Sequence, residues 1–506
     1  MIFDAPSPES KKHTEAETQQ FWKLLEEILT EDSTDDVEGL EDDNTGLGTK
    51  ERNFSGESAV VNAKLVKYLK FATDSYRDFI NSDRDLYRMA LILVESPIFA
   101  KGKDFCLSKL LSLLNIDLLS MSMKFFIAYI LLVEAKKDLH SLEKMLEYQG
   151  FNVFYNTVYT QFAYLDKYGD QDRYLDPEEA RRINGRAMEF TEEELLIIEG
   201  MKEISTVLLD LLFQIFKFCK CTVANVRVVD DFFVHFLMSS IRSDTTSDLF
   251  SNSEFKVLVA LNEQYMMFQK EPNMENKVYK YLLDTTLSKN FVELLFLQFN
   301  RLSNPSLQIM ICKVVYLVVN TDESGVSMNF FYLNDLKVFV DVLIRQLRNF
   351  SEEEEVLRHT FLHVLRPLLK NTELAKIQYR KEDLRDLLDY LMNLDSICTS
   401  GEISEEHRVT VKLAFKCLNE VTWLQDLNSD SSATEVERPL SAASSISMSR
   451  MTFANPANVG RLYDEPNASV ESLGRRRSRP VPPPPPSRKG STHSRSIGLR
   501  SMQGMR

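Results

Sequence analysis

Two histidines lie at the spacing that a helical zinc site uses. His359 and His363 are four residues apart, so on a helix both rings project from one side. In zinc proteases a glutamate general base follows the first histidine, whereas here the next residue is Thr360. The flanking residues are mostly leucine, valine and phenylalanine. We therefore interpret both histidines as core residues and expect no metal and no cofactor.

The cysteines and glycines offer no other catalytic pattern. Cys219 and Cys221 lie two residues apart, but no second Cys or His pair follows at zinc spacing. The six cysteines lie mostly in apolar helical patterns, which is typical of reduced, buried thiols in the cytosol. No GxxxxGK[ST], GxGxxG or GxSxG sequence occurs. We expect no catalytic residues, so the protein is predicted not to be an enzyme.

A proline-rich segment, residues 475–489, has a specific binding chemistry. It is RRRSRPVPPPPPSRK, and such a run favours a polyproline II helix that places prolines three apart in aromatic grooves. Arg477 begins an R-x-x-P-x-x-P sequence and Pro483 begins P-x-x-P-x-R, the two orientations of an SH3 ligand. A stiff spacer or a profilin-type partner is the alternative. The predicted SH3-binding residues are Arg477, Pro480, Pro482, Pro483, Pro486 and Arg488.

Ser478 is a candidate phosphorylation site within this segment. It lies between Arg477 and Arg479 and follows further arginines, a context that basic-directed kinases favour. A phosphate would neutralise the ligand arginines and so weaken SH3 binding.

Charge is distributed unevenly along the chain. The net charge is −15, and residues 474–506 hold nine Lys and Arg without an acid, which leaves −24 for the rest. An acidic body lacks the basic footprint of a nucleic-acid binder, so we expect no nucleic acid partner. A basic end without an apolar anchor predicts no stable membrane insertion. No secretory signal opens the chain and no apolar run reaches bilayer length, so we expect a cytoplasmic protein.

Composition predicts three regions. Residues 1–53 hold 15 acidic against 5 basic residues and are expected to be mostly disordered, with a short amphipathic helix near 19–30. This helix either caps the main domain or docks on a partner. Capping is favoured because leaving Trp22 and the leucines exposed to water costs free energy. Residues 54–425 have helical periodicity. Residues 426–506 form a disordered tail rich in Ser, Pro and Arg.

Capping residues mark several helix starts. Thr191 with Glu194 and Ser351 with Glu354 are predicted capping boxes. Asn304, followed by proline, predicts a helix to residue 319. Asn334 predicts another, to residue 350.

Two stretches interrupt the helical pattern. Residues 166–186 form a polar insert, in which Asp176 and Pro177 indicate a short helix. Residues 223–229 are rich in valine and form an isolated β-like run.

The number of helices determines the predicted architecture. About eighteen helices joined by short links cannot share one bundle core, because about four fill a bundle's interior. They can stack as successive pairs, each burying a face on its neighbours. No repeat consensus of the roughly 34- or 42-residue kind recurs. The sequence therefore predicts an all-α, irregular armadillo-like α-solenoid with disordered N- and C-terminal tails.

Residues 260–374 resemble a known family. The runs ALNEQYMMF, FFYLNDLKVFVDVLIRQLRNF and LRHTFLHVLRPLLKNTEL are similar to the leucine-rich domain of the WISH/DIP family. The resemblance implies an armadillo-like domain that binds the Arp2/3 complex and activates it without a preformed filament. It also implies linear filaments that seed branched actin at endocytic sites, and a location in cortical actin patches.

The chain differs from animal members of that family. It shows no SH3 domain ahead of its helices and carries SH3 ligands instead, which is similar to the budding-yeast, low-dye-binding-seventeen type. It has neither the L-K-K-[TV] element nor the terminal acidic Trp of WASP-type activators. The implied partners are the Arp2/3 complex, SH3 proteins of the endocytic coat and actin filament ends. The alternative is a non-activating armadillo scaffold that links SH3 proteins to another helical cargo.

One polar stripe is a candidate partner interface. Its residues lie at i, i+4, i+8 and i+11 of one predicted helix and so project from one side. A solvated face that binds nothing is the alternative. The stripe consists of Lys337, Asp341, Arg345 and Arg348.

Overall fold

The structure is a computed structural model in which every described element is helical. It describes residues 14–30, 49–168, 191–242, 248–301, 304–320, 328, 330–398 and 403–425. Internal contacts divide the chain into Met1–Tyr463 and Asp464–Arg506, and all described residues belong to the first unit. Those residues form 21 α-helices and two 3-10 turns, with no strand among them. The predicted all-α class is confirmed.

Eight helices precede the polar insert, and thirteen follow it. The first eight are α1 (Glu15–Thr30), α2 (Thr49–Phe79), α3 (Asp83–Val94), α4 (Pro97–Lys101), α5 (Lys103–Leu114), α6 (Met121–Lys137), α7 (His140–Glu147) and α8 (Gly150–Tyr168). The next seven are α9 (Glu192–Phe218), α10 (Val223–Val228), α11 (Asp231–Ser240), α12 (Leu249–Met267), α13 (Lys277–Leu282), α14 (Lys289–Arg301) and α15 (Pro305–Val319). The last six are α16 (Leu333–Asn349), α17 (Glu355–Asn371), α18 (Leu374–Ile377), α19 (Lys381–Met392), α20 (Leu394–Ile397) and α21 (Glu405–Glu420). The 3-10 turns are Glu352–Glu354 and Thr422–Leu424.

Most of the predicted caps are present. Thr191 and Glu194 form a reciprocal capping box at the start of α9. Ser351 does the same with Glu354, and the helix that follows begins as a 3-10 turn. The side chain of Asn304 accepts a hydrogen bond from the Leu307 amide at 3.2 Å. These ends form because each cap satisfies amides that have no partner inside the helix.

Two local predictions were wrong. The helix assigned to Asn334 begins one residue earlier, at Leu333, and is preceded by Tyr332, whose side chain forms no cap. Residues 223–229 are not β-like but contain the short helix α10. A capping box between Thr222 and Asn225 opens that helix, with the Thr222 amide donating to Asn225 Oδ1 at 3.0 Å. Local capping thus outweighs the strand preference of valine.

Six helices stack in chain order as an inner row: α6, α9, α12, α15, α17 and α21. Each packs against the next one in the row. In α15 every residue from Ser306 to Tyr316 is buried, and α6 is buried almost continuously from Phe125 to Ala135. A helix that is apolar on all sides belongs inside a protein. The remaining helices cover this row, and the stack is solenoid-like, as predicted.

Polar bonds join successive inner helices at a nearly constant separation in sequence. Lys256 of α12 bonds Asp210 of α9 at 3.3 Å, across 46 residues. Asn371 of α17 donates to the Val319 carbonyl of α15 at 2.8 Å, across 52 residues. The Thr410 hydroxyl of α21 donates to the Glu355 carboxylate of α17 at 2.6 Å, across 55 residues. Polar contacts between residues about 46 to 55 positions apart therefore join successive inner helices.

The N-terminal helix α1 packs against α2, α3 and α4. Its Phe21 ring stacks on Phe79 with centroids 4.7 Å apart. The Arg88 guanidinium lies 4.3 Å from the centre of the Trp22 ring, which is buried. This apolar face covers the first helices of the stack. The domain boundaries at 53/54 and 425/426 stay predictions: 53/54 lies within α2, and the residues at 31–48 and after 425 lie outside the described ranges.

His359 and His363, the pair at the spacing of a helical zinc site, lie where α17 packs on α21. His359 Nε2 lies 3.0 Å from the Glu406 carbonyl, to which it donates. Burial lowers the pKa of His359 and, more strongly, that of His363. Both rings therefore belong to the packing between two inner helices. All six cysteines are buried and unbridged, and no described helix is long and apolar enough to cross a membrane.

A charged pair lies between two inner helices. Lys313 of α15 donates to Glu263 of α12, and both side chains are buried. Burial raises the pKa of Glu263 and lowers that of Lys313, because each charged form loses its water shell. The second carboxylate oxygen of Glu263 has no hydrogen-bond partner in the described structure. Such a pair adds little net stability, but either charge becomes costly once its partner is removed.

We expect Glu263→Leu to lower the free energy of unfolding by about 3–5 kcal/mol, because the buried ammonium group of Lys313 would lose its carboxylate partner. The double variant Glu263→Leu with Lys313→Met should regain most of that loss, since apolar residues of similar volume replace the pair. Urea unfolding followed by circular dichroism measures both. As a control, Glu27→Leu breaks the exposed Lys23–Glu27 pair of α1 and should cost under about 1 kcal/mol. A double variant no more stable than the single one would contradict this account.

His363 should make the fold sensitive to acid. Burial, followed by the nearby His359, Arg366 and Lys416 charges, lowers the pKa of His363 from 6.5 to about 4. The stability that depends on a neutral ring is therefore present above pH 6.5 and is lost as the pH falls toward 4. Between pH 7 and pH 5, His363→Leu should lose about 1–2 kcal/mol less unfolding free energy than the unsubstituted protein. An equal loss in both proteins would exclude this role.

Candidate partner interface

Helix α16 carries the predicted stripe because its apolar residues recur at three- and four-residue steps. Leu336, Phe339, Leu343 and Leu347 are buried. The Phe339 ring packs 4.4 Å from the Phe299 ring of α14, centroid to centroid. This packing fixes the rotation of α16, and its polar residues consequently face outward.

The four stripe residues share one side of α16 but differ in exposure. Arg345 and Arg348 are exposed, whereas Lys337 and Asp341 are half-buried. The half-buried pair faces the segment that joins α18 to α19. The stripe is therefore part solvent-facing surface and part internal contact.

Asp341 is used within the chain. Its carboxylate accepts a hydrogen bond from the Tyr379 hydroxyl at 3.1 Å and pairs with the Arg380 guanidinium at 2.9 Å. Arg380 also bonds Asp383 at 2.7 Å. Burial, followed by the bond to Asp341, raises the pKa of Tyr379. The structure thus gives Asp341 the role of an internal anchor, which sequence spacing alone did not suggest.

The three basic residues of the stripe have different surroundings. Lys337 Nζ lies 5.8 Å from the centre of the Tyr379 ring. Arg348 donates to the Asp383 carbonyl at 3.3 Å. Arg345 makes no ion pair or hydrogen bond with the described residues, and it lines a surface cavity beside Phe350. Arg345 is therefore the stripe residue that is most available to a partner.

One group of possible metal ligands was not predicted from the sequence. Ligand atoms of Glu352, Cys398 and His407 lie within 4.8 Å of one another. Their separations in the chain match no metal motif, so only folding brings them together. His407 Nδ1 accepts the Ser404 amide at 3.2 Å, and Nε2 lies 3.7 Å from Glu355. Because Nδ1 is an acceptor, the neutral ring carries its proton on Nε2, and we interpret His407 as the partner of Ser404 in the capping box that opens α21.

Several predicted residues lie outside the described part of the chain. These are the six SH3-binding residues, Ser478, and Asp176 with Pro177 in the polar insert. Their assignments stay predictions.

Comparison with protein families and with characterised sequences places the chain. The family described as SPIN90/Ldb17, leucine-rich domain, matches residues 247–384, a range that contains α16, α18 and the segment bonded to Asp341. Protein LDB17 of Saccharomyces cerevisiae is 50% identical over 497 residues, which cover 95% of this chain and 96% of that protein. Protein LDB17 of Eremothecium gossypii is 47% identical over 440 residues, covering 86% and 89%.

A more distant relative is protein dip1 of Schizosaccharomyces pombe. It is 27% identical over 225 residues, which cover 42% of this chain and 58% of that protein. The matched family segment extends the resemblance of residues 260–374 at both ends. The likeness to the Saccharomyces protein covers 95% of this chain, so it extends well beyond the segment that the family matches. The chain therefore belongs to the SPIN90/Ldb17 family.

Proposed function

We propose that this protein regulates the actin cytoskeleton by binding the Arp2/3 complex and activating it without a preformed filament. Membership of the SPIN90/Ldb17 family, with a likeness to LDB17 that extends over nearly the whole chain, carries this proposal. The products would be linear filaments that seed branched actin at cortical endocytic patches. The partners would be the Arp2/3 complex, SH3 proteins of the endocytic coat and actin filament ends.

Activation would use binding energy to shift a conformational equilibrium. The helical stack would bind better to the form of the complex in which its two actin-related subunits lie side by side. Moving an equilibrium from about 1:99 to 99:1 requires a preference of about 5.5 kcal/mol for the favoured form. A rigid surface favours such discrimination, because a flexible one can adapt to both forms. Polar bonds between inner helices, such as Asn371 to Val319, support this rigidity.

The basic tail would supply recruitment. The two overlapping ligand orientations within residues 475–489 would bring SH3 proteins to the chain, while the helical body acts on the complex. A tail and a body with separate tasks also suit a non-activating scaffold, so recruitment alone does not distinguish the two functions.

Actin assembly with purified Arp2/3 complex and this protein alone separates activation from scaffolding. We expect pyrene-actin fluorescence to rise faster than with the complex alone, and microscopy to show unbranched filaments. A scaffold would leave the assembly rate unchanged, and that result would remove the proposed function.

Reversal of the exposed stripe charges should weaken activation. We expect Arg345→Glu with Arg348→Glu to lower the nucleation rate roughly fivefold to tenfold, because both side chains project from α16 toward solvent. The melting temperature should stay close to that of the unsubstituted protein. Arg408→Glu with Lys412→Glu makes the same charge change on the exposed side of α21 and serves as the matched control. Equal nucleation by both double variants would remove the stripe from the interface.

Phosphorylation of Ser478 should weaken recruitment. The phosphate would offset the charges of Arg477 and Arg479, which flank it, and so reduce pairing with acidic residues beside an SH3 groove. Titration of peptides covering residues 475–489 into an SH3 domain should give a several-fold weaker affinity for the phosphorylated form. A peptide phosphorylated at Ser487 instead shows whether the effect depends on the position of the phosphate. Identical affinities for the unmodified and the Ser478-phosphorylated peptide would exclude regulation of SH3 binding by Ser478.

A further inference from the structure

A surface cavity of about 510 Å³ extends along α8. It lies between the end of α5, the start of α6, the second half of α8 and the first half of α9. On α8 its lining extends from Asn156 to Tyr168, a length of about 18 Å at the rise of an α-helix. We call this cavity the α8 groove.

Apolar side chains line the α8 groove and continue beyond it. Leu119, Met201 and Ile204 are lining residues. Leu118, which precedes Leu119, is 97% exposed. Ile197 lies four residues before Met201 and seven before Ile204, so it projects from the same side of α9, and it is exposed. A continuous apolar surface of this kind marks a place where a protein contacts a partner.

The start of α9 is exposed in several directions. Leu195, Leu196 and Ile197 are consecutive, and all three are exposed. Consecutive residues of a helix point in different directions, so packing within the chain covers none of the three fully. Such a run is unfavourable in water unless it serves a contact.

Three polar side chains of the α8 groove already have partners. The hydroxyl groups of Thr157 and Thr160 donate to carbonyls of α8 itself, at 2.8 and 2.9 Å. The side chain of Gln161 accepts the Ser205 hydroxyl at 2.6 Å. An apolar surface can therefore cover these side chains without leaving them unsatisfied.

The start of α9 is acidic as well as apolar. Glu193, Glu194 and Glu199 are exposed, and none of them forms an ion pair with the described residues. Glu193 lies four residues before Ile197 and so projects from the same side of α9. Asp117 lines the groove itself.

Three lysines lie in the same region but leave these glutamates unpaired. The Lys167 ammonium group lies 4.8 Å from the centre of the Tyr168 ring, and Lys202 has another partner within the chain. Burial lowers the pKa of Lys124, while nearby Asp117 raises it. The unpaired carboxylates at the start of α9 would therefore attract a basic partner.

We infer that the α8 groove docks a basic amphipathic helix of a partner protein. A helix of about three turns matches the length of the groove. Its apolar side covers Leu118, Met201 and Ile197, and its basic residues lie near Glu193, which is the helix-in-groove mode of recognition. The groove lies in residues 114–204, outside the family segment 247–384, so the inference is independent of the proposed function.

Fluorescence anisotropy of a labelled synthetic helix tests this site on the full-length protein. The probe is a peptide of about 15 residues with leucines at three- and four-residue steps and lysines beside them. Leu118→Ser and Ile197→Ser should each weaken binding about tenfold, because each removes apolar contact area. Phe415→Ser is the matched control, since Phe415 is 57% exposed on α21, and its affinity should not change.

The charge contribution has its own readout. Glu193→Lys should weaken binding roughly threefold to fivefold at low salt and less at high salt, because salt screens exposed charges. Glu382→Lys makes the same change at an exposed position of α19 and should have no effect. All four substituted side chains are exposed, so thermal melting should show unaltered folding.

The same measurements distinguish other occupants of the groove. Failure of the unsubstituted protein to bind the probe, or equal affinities of Leu118→Ser and Phe415→Ser, would overturn the inference. A gain of about tenfold or more on replacing residues 169–190 by a glycine–serine linker would make the chain's own segment the occupant. A dimer in sedimentation that Leu118→Ser dissociates would make a second copy the occupant. Either result would exclude a partner helix.

Discussion

The fold depends on how the inner helices that are buried on nearly every side, such as α12 and α15, satisfy their polar groups. A helix such as α15 is buried on nearly every side, and its Lys313 pairs with Glu263 of the preceding inner helix. Asn371 likewise reaches back to the Val319 carbonyl. Each of these contacts is geometrically specific, whereas apolar packing alone tolerates small shifts between helices. The polar bonds therefore fix how far each inner helix is displaced along its neighbour.

This constraint explains which features the sequence predicts and which it does not. Helix starts at Thr191, Asn304 and Ser351 are predictable because a cap acts over three residues. The start of α16 was misplaced because Asn334 is a good cap in isolation, while packing of Leu336 and Phe339 sets where the helix begins. The bridges between inner helices join residues roughly 50 apart, as for Glu263 and Lys313, and no local pattern predicts such pairs.

The candidate partner interface was likewise predictable from the sequence only in part. Periodicity alone places Arg345 and Arg348 on the solvent side of α16, which the structure bears out. It gives no sign that Asp341 is tied to Tyr379 and Arg380, because those residues belong to a segment about 40 positions later. The turn between α18 and α19 was also not predictable from the sequence, since the two residues with a left-handed backbone there, Gln378 and Arg380, are neither glycine nor asparagine. Tertiary contacts impose that conformation against local preference.

The same rigidity connects the fold to the proposed activity. A protein that shifts a partner's equilibrium must resist deformation by the partner's unfavoured form, since any yielding reduces the difference in binding free energy between the two forms. An outer helix resists such deformation only if its neighbours fix its position. One side of α16 is fixed by packing of Phe339 on Phe299, and the other side is fixed by the hydrogen bond that Asp341 accepts from Tyr379. The proposed SH3 binding through residues 475–489 has the opposite requirement, because a recruiting ligand must reach partners at variable distances. A helical body whose inner helices are joined by polar bonds, together with a proline-rich tail, therefore suits a protein that would be recruited by one region and would activate its partner with another.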